Sequence, residues 1–229
     1  MTKFFHGSAQ RKTPLHQPED ARPYLAKPEV QWRDGYSAKE LAKSWIGAQD
    51  IPTPVRSVLE TCPDYQGAEL IEGLFERKTS LRSPGRASQT DLLVFAQTPA
   101  RIKVIGVEGK RDEPFGELVT DWNTSAGKQR RLEVLCEYLE LDATECGHLR
   151  YQLFHRTVAT LFEAESAQAK GALMLVHSFS PDDSSFDDFH AFTVALDIPV
   201  ETTNTIGPAR SLNGIVLCAS AGSVTPRPL

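Results

Sequence analysis

The sequence predicts an α/β protein in which helices flank a mixed β-sheet, preceded by an N-terminal helical extension. Three observations carry this reading. Gly171–Phe179 is an uninterrupted apolar run, as a strand buried on both faces requires. Two shorter strand-like runs, Ser88–Phe95 and Ile102–Lys110, lie close enough in sequence to pair as a hairpin. Between them and the buried run, apolar residues recur at helical spacing over Lys128–Leu139 and Leu149–Glu165.

Taken in order, residues 1–35 are rich in Pro, Gln, Lys and Arg and lack an apolar period, which predicts a flexible or surface-lying arm. Ser37-Ala38-Lys39-Glu40 has the pattern of a capping box and opens a helix through Leu41, Trp45 and Ile46. Ile51-Pro52-Thr53-Pro54 breaks that helix, and a short one follows to about Thr61. Gly67–Phe75 reads as helix and Glu76–Leu81 as strand, and Ser83-Pro84-Gly85 is a turn. The hairpin comes next, joined by Thr98-Pro99-Ala100. A loop, Arg111–Asn123, precedes the two long helices, of which the second supplies the crossover to Gly171–Phe179. Ser184–Leu196 is helical with acids in its first turn, and Ile215–Ala219 is a last strand. The expected division is an N-terminal arm and helical extension over 1–66 and one larger domain over 67–229.

At 229 residues and 40% hydrophobic content the chain can bury a full core. No apolar run approaches the roughly 20 residues of a membrane span, and Met1–Gln10 lacks a signal-peptide core. A cytoplasmic protein without membrane partners is expected. Cys62, Cys136, Cys146 and Cys218 form no CxxC pair and read as reduced thiols. Cys136, Cys146 and His148 fit no common zinc spacing and lack a fourth ligand.

Net charge is −5, but unevenly spread. Arg77–Arg131 carries eleven basic residues against six acidic ones, whereas Leu132–Glu201 carries three against thirteen. A basic stretch on an acidic protein is compatible with a phosphate-facing surface.

The same basic stretch holds the most informative residues. Asp91 opens one apolar strand, and Glu108 and Lys110 close the other. Side chains alternate along a strand, so Glu108 and Lys110 share a face, and hairpin pairing sets Asp91 beside Glu108. Two carboxylates and an ammonium at one point suit a divalent metal and a scissile phosphate: carboxylates hold Mg²⁺ or Mn²⁺, and the lysine neutralises transition-state charge. Glu69, Glu72 and Glu76, three and four apart, would share a helical face and offer a third acid, Glu76 first and Glu72 second. Gln152 and Arg156 lie four apart on the crossover helix, with His155 turned elsewhere; tethering that helix by hydrogen bonds is an equal alternative for all three. For Ser88 and Gln89, turn chemistry is favoured over phosphate contact.

Over residues 67–180 the chain resembles the PD-(D/E)XK superfamily, the restriction-endonuclease-like fold. The resemblance implies helix, three antiparallel strands, helix and strand at Gly67–Phe75, Glu76–Leu81, Thr90–Ala96, Arg101–Glu108, Leu149–Glu165 and Gly171–Phe179. It carries the family's two acids to Asp91 and Glu108 and its lysine to Lys110. It further implies that the Gly109 carbonyl ligates metal and that Gln152 is the polar residue of the crossover helix near the site. Thr90 stands where the family name has Pro, a position that varies widely. Arg150–Thr157 and Val176–Ser180 also look like a bacterial, functionally uncharacterised branch of the superfamily. The implied activity is Mg²⁺- or Mn²⁺-dependent hydrolysis of nucleic acid, DNA favoured over RNA, with a homodimer as a candidate assembly.

Two other readings compete. A nuclease-like fold kept as a binding or regulatory module is compatible with the acidic surface. A serine hydrolase is suggested by His177-Ser178-Phe179-Ser180 after a buried strand, but Val176 and Ser180 replace the small residues of a nucleophile elbow.

Overall fold

The computed structural model describes residues 2–8 and 11–223; the ends of the expected arm and of the larger domain (residues 1 and 224–229), with residues 9 and 10, lie outside the described residues. The described residues fold as a mixed α/β protein built on a nine-stranded sheet. Its strands are β1 (Phe4–Ser8), β2 (Arg11–Pro14), β3 (Glu69–Thr79), β4 (Ser88–Gln97), β5 (Ile102–Lys110), β6 (Gly171–Ser178), β7 (Thr205–Ile206), β8 (Arg210–Leu212) and β9 (Ile215–Ser223), and the short helices α1 (Pro28–Gln31) and α4 (Val119–Trp122) accompany the longer ones given below. They run in the order β2-β1-β3-β4-β5-β6-β9-β7, with β8 paired to β9. The β3–β4–β5 meander is antiparallel, while β6 lies parallel to both β5 and β9.

Alternation along these strands feeds two cores. Leu92, Val94, Ile105, Val107, Leu173 and Leu175 face one side, where α2 (Ser37–Ala48) and α3 (Thr53–Leu59) cover them with Leu41, Trp45, Ile46, Val55 and Leu59. Leu93, Val104, Ala172 and Met174 face the other, beneath α5 (Ala126–Leu139), α6 (Tyr151–Ser166) and α7 (Phe186–Ala195). Burial on both faces explains why β6 reads as one apolar run. Each Leu or Phe fully withdrawn from water stabilises the fold by about 1.5–3 kcal/mol.

The helix α6 is the crossover between β5 and β6, and its seat is set by size. A Cβ on Gly106 of β5 would meet the Thr160 hydroxyl of α6 at 1.9 Å, so only glycine allows this approach. Farther along, Glu163 accepts hydrogen bonds from Arg77 (2.9 Å) and Thr79 (2.6 Å) on β3. One end of α6 is thereby pinned, which fixes where its other end, bearing Gln152 and Arg156, meets the sheet.

Three expectations are corrected. Gly67–Phe75 is not helical: residues 69–79 form the single strand β3, with a bulge between Leu70 and Glu72. The glutamate spacing that imitates a helical face is interrupted by this bulge. Residues 1–35 are not merely an arm: β1 pairs parallel to β3, Phe4 is fully buried over Gly73, and β2 edges the sheet. The sheet therefore runs through residues on both sides of the 66/67 boundary. The Ser37–Glu40 capping box does not form, because Tyr36 holds the N-cap position and the Glu40 carboxylate accepts the Gly35 N–H at 3.0 Å. Among the described residues no helix is long and apolar enough to cross a membrane.

Candidate active site

Hydrogen-bonded pairing of β4 with β5 ends at Leu92 opposite Val107, and the next residues outward are Asp91 and Glu108. Beyond them β5 continues as Gly109 and Lys110 alongside His177 and Ser178 of β6. The strand ends therefore deliver Asp91, Glu108 and Lys110 to one place, under the first turns of α6. They line a polar cavity of about 330 Å³ together with Glu76, Gln89, Gln152 and Arg156.

Within it each polar head is held. The Gly109 N–H donates to Asp91 Oδ2 at 3.0 Å. Gln152 has two partners: its Nε2 donates to Glu108 Oε1 (2.6 Å) and its Oε1 accepts from Lys110 Nζ (3.0 Å). Lys110 also donates to the Pro114 carbonyl and lies 3.5 Å from Glu108. Arg156 donates from Nε to Glu108 Oε2 (2.5 Å) and from Nη2 to Asp91 Oδ1 (3.3 Å). Glu108 and Lys110 are almost closed to water, at 2% and 4% exposure, whereas the Asp91 side chain keeps 25%.

Three carboxylates in one cavity disturb one another. Withdrawal from water raises the Asp91 pKa well above the ordinary range, and repulsion from Glu108 adds to it, against the pull of Arg156. Burial pushes Glu76 up to about 7, opposed by its hydrogen bond from Gln89. Arg156 is held in its charged form: burial disfavours the charge, but Glu108 and Asp91 more than offset this and raise its pKa. Glu76 itself sits at φ +54°, a left-handed kink that carries its side chain out of the strand's alternation.

Sequence-predicted residues divide clearly. Asp91, Glu108, Gly109, Lys110, Gln152 and Glu76 meet at this cavity. Glu72 does not: it is ion-paired with Lys12 of the edge strand β2. Arg156, expected beside Gln152, is the residue that joins the two acids. His155 points away, to the Ser88 hydroxyl at 2.9 Å. Ser37 and Ala38, the first residues of α2, also line the cavity, bringing the positive end of a helix dipole to it. No local signal marked them, since nothing within residues 37–38 specifies the distant strand ends they face. At the competing serine site, the Ser178 hydroxyl accepts the Ser180 N–H, and His177 is engaged by Trp45 instead.

Whether a divalent cation suits this cavity turns on its donors. Carboxylate oxygens of Glu76, Asp91 and Glu108 with the Gly109 carbonyl are hard ligands of the kind Mg²⁺ and Mn²⁺ take. The raised pKa values of Asp91 and Glu76, caused first by burial, mark carboxylates whose charged form has lost its solvation, which a bound cation would replace. The donor chemistry fits. Among the described residues, however, no three acidic, histidine or cysteine side chains are already gathered at metal-binding spacing. Arg156 stands between Asp91 and Glu108, so binding requires its withdrawal from Asp91, the longer of its two contacts.

Fold and site together define a mixed α/β protein with a buried carboxylate–lysine–arginine cluster at the ends of its central strands. The chain belongs to a family described as a domain of unknown function (DUF6946), which matches residues 14–221. No curated protein and no solved structure matches it.

Proposed function

We propose that this chain is a metal-dependent nuclease of the restriction-endonuclease-like type, hydrolysing phosphodiester bonds of nucleic acid, DNA in preference to RNA. The single observation that carries this reading is the meeting of Asp91, Glu108, Lys110 and Gln152 in one polar cavity, from the β4–β5 hairpin and the sequence-distant helix α6. The antiparallel β3–β4–β5 meander, the α6 crossover and the parallel β6 support the same reading. Gly67–Phe75, expected as the opening helix of the superfamily order, belongs instead to the turn before β3 and to β3 itself, and the helices α2 and α3 precede it.

Glu76, Asp91, Glu108 and the Gly109 carbonyl would hold Mg²⁺ or Mn²⁺. Bound there, the cation supplies Lewis-acid polarisation of the phosphate and a more acidic water. Lys110, fixed by the Gln152 and Pro114 oxygens, presents a positive charge to a phosphate in the cavity and stabilises the charge that develops on it. The amides at the start of α2 favour the same anion. Gln152 orients Glu108 and Lys110 at once, so that neither turns away when substrate enters.

The test is a panel of labelled single- and double-stranded DNA and RNA with Mg²⁺ or Mn²⁺. Wild-type protein cleaves at least one, while Asp91→Ala and Lys110→Ala do not; equal activity in the variants means contamination or another site. The contact of Arg156 with both acids favours one alternative, a nuclease-like fold that binds without cutting. Calorimetric titration with Mn²⁺ separates the two, since a binding-only module takes up no metal that Asp91→Ala abolishes.

A further inference from the structure

Beside the carboxylate cavity lies a second and larger recess of about 630 Å³, within the roughly 300–1,000 Å³ of sites that enclose a ligand. The two adjoin: Gln89 and Arg156 line both. One wall is the loop around Pro84–Ala87, the other the start of α5 with Lys128 and Arg131.

Charge in this recess has one sign. Arg86, Lys128, Arg131 and Arg156 line it, and none of its lining residues is Asp or Glu. Arg131 is only 8% exposed, yet it donates to neutral acceptors alone, the Tyr151 hydroxyl (2.6 Å) and the Pro84 carbonyl (2.7 Å). Lys128 donates to the Thr124 hydroxyl. Among the described residues neither has an ion-pair partner, and Arg86 has no hydrogen-bond or ion-pair partner. A buried guanidinium without a counter-anion is costly unless an anion from outside completes it. An aromatic platform stands at the same place: Trp122 stacks on Tyr151 with ring centroids 3.4 Å apart, and Lys128 Nζ lies 5.3 Å from the Trp122 centroid.

We propose that this recess is a strand-binding subsite that takes an unpaired nucleotide flanking the scissile phosphate, its phosphate on Arg86, Lys128 and Arg131 and its base on Trp122. The proposal rests on the nuclease reading and names its substrate as single-stranded or locally unpaired nucleic acid. Cations on the wall of a recess suit a splayed strand; a duplex holds its bases inside the stack and meets protein with its outer backbone rails. Recesses that combine cations with an aromatic face bind single strands with little sequence preference.

The test reads binding in EDTA, so it does not depend on cleavage. Anisotropy of a short fluorescein-labelled oligothymidylate is titrated with wild type, the double variant Arg86→Gln/Lys128→Gln, and Trp122→Leu. Arg86 is exposed and Lys128 half-buried, so the double variant keeps the fold. The expected result is a Kd at least about tenfold weaker in the double variant. Its slope of log Kd against log salt should fall by about 1.4, the value for two lost single-strand phosphate contacts. Trp122→Leu weakens binding with the salt slope unchanged, and a matched duplex competes poorly. Unchanged affinity and slope in the double variant overturn the subsite, as does equal competition by the duplex. Equal competition by free thymidine monophosphate also overturns it, since the recess would then be a mononucleotide site. If wild type cleaves nothing but these results hold, the subsite stands and the catalytic reading falls; cleavage with unchanged binding gives the reverse.

Discussion

Arg156 Nε lies 2.5 Å from Glu108 Oε2, and this arginine's second arm reaches Asp91. Almost no water reaches the Arg156–Glu108 pair, which makes it the electrostatic centre of the site. A buried pair contributes little net stability when intact, because desolvation cancels most of the attraction, but breaking it strands a charge. The same contact spans the two acids on which the nuclease reading depends.

Replacing Arg156 with Gln leaves Asp91 without its cation and Glu108 with Lys110 alone, 3.5 Å away. A loss of about 3–5 kcal/mol is expected in urea unfolding with EDTA present. Adding Mn²⁺ restores part of that loss in the variant, and more than it adds to wild type, because the metal takes the arginine's place. Equal Mn²⁺ effects on both proteins would show that the cation binds elsewhere.

Gln152→Ala removes a side chain that hydrogen-bonds both Glu108 and Lys110. Stability changes by about 1 kcal/mol, as for loss of a hydrogen bond, whereas cleavage falls roughly 100-fold because misplaced reacting groups are costly. Gln152→Glu does not rescue, since a carboxylate cannot donate to Glu108. Single-turnover kinetics on the best substrate of the panel measure this directly.

Gly106→Ala tests the seat of α6. The added methyl collides with Thr160, whose hydroxyl already donates to the Arg156 carbonyl at 2.9 Å. Overpacking of this kind costs about 1–3 kcal/mol, read as a lower urea midpoint. The companion change Thr160→Ser, made in the alanine background, recovers little, because the clash is with the oxygen that serine retains; Thr160→Ala recovers more.

A pH effect on folding is expected from His177. Burial pushes its pKa down to about 3, and its Nδ1 accepts the Trp45 indole N–H at 3.1 Å. A histidine whose folded pKa is depressed binds its proton more readily when unfolded, so stability is lost as pH falls from about 6.5 toward 3. The loss reaches at most about 5 kcal/mol. His177→Gln keeps an acceptor for Trp45 but does not titrate, so its stability falls less steeply across that window. Parallel urea midpoints at pH 7 and pH 4 decide it; equal slopes sink the assignment.

Within the sequence, the hairpin was legible because alternation and a short connection jointly fix which residues end opposite each other. Asp91, Glu108 and Lys110 followed from that parity alone. The crossover helix and the buried strand were legible for the same reason: period and run length are local properties. Residues 67–75 misled because Glu69, Glu72 and Glu76 repeat at helical spacing, while the bulge that reconciles them with a strand is visible only in pairing. β1 and β2 were hidden because both are short, and the place of β1 beside β3 is a long-range contact.

What the chain determined alone was the class of fold, the central strands and the charged residues at their tips, since backbone periodicity is written in neighbouring residues. Tertiary structure alone decided that Arg156 spans the two acids, that Glu76 rather than Glu72 joins them, and that the start of α2 and the loop around Pro84–Ala87 wall the two cavities. Those outcomes depend on where a helix comes to rest on a sheet, which packing across many residues sets and no local pattern encodes.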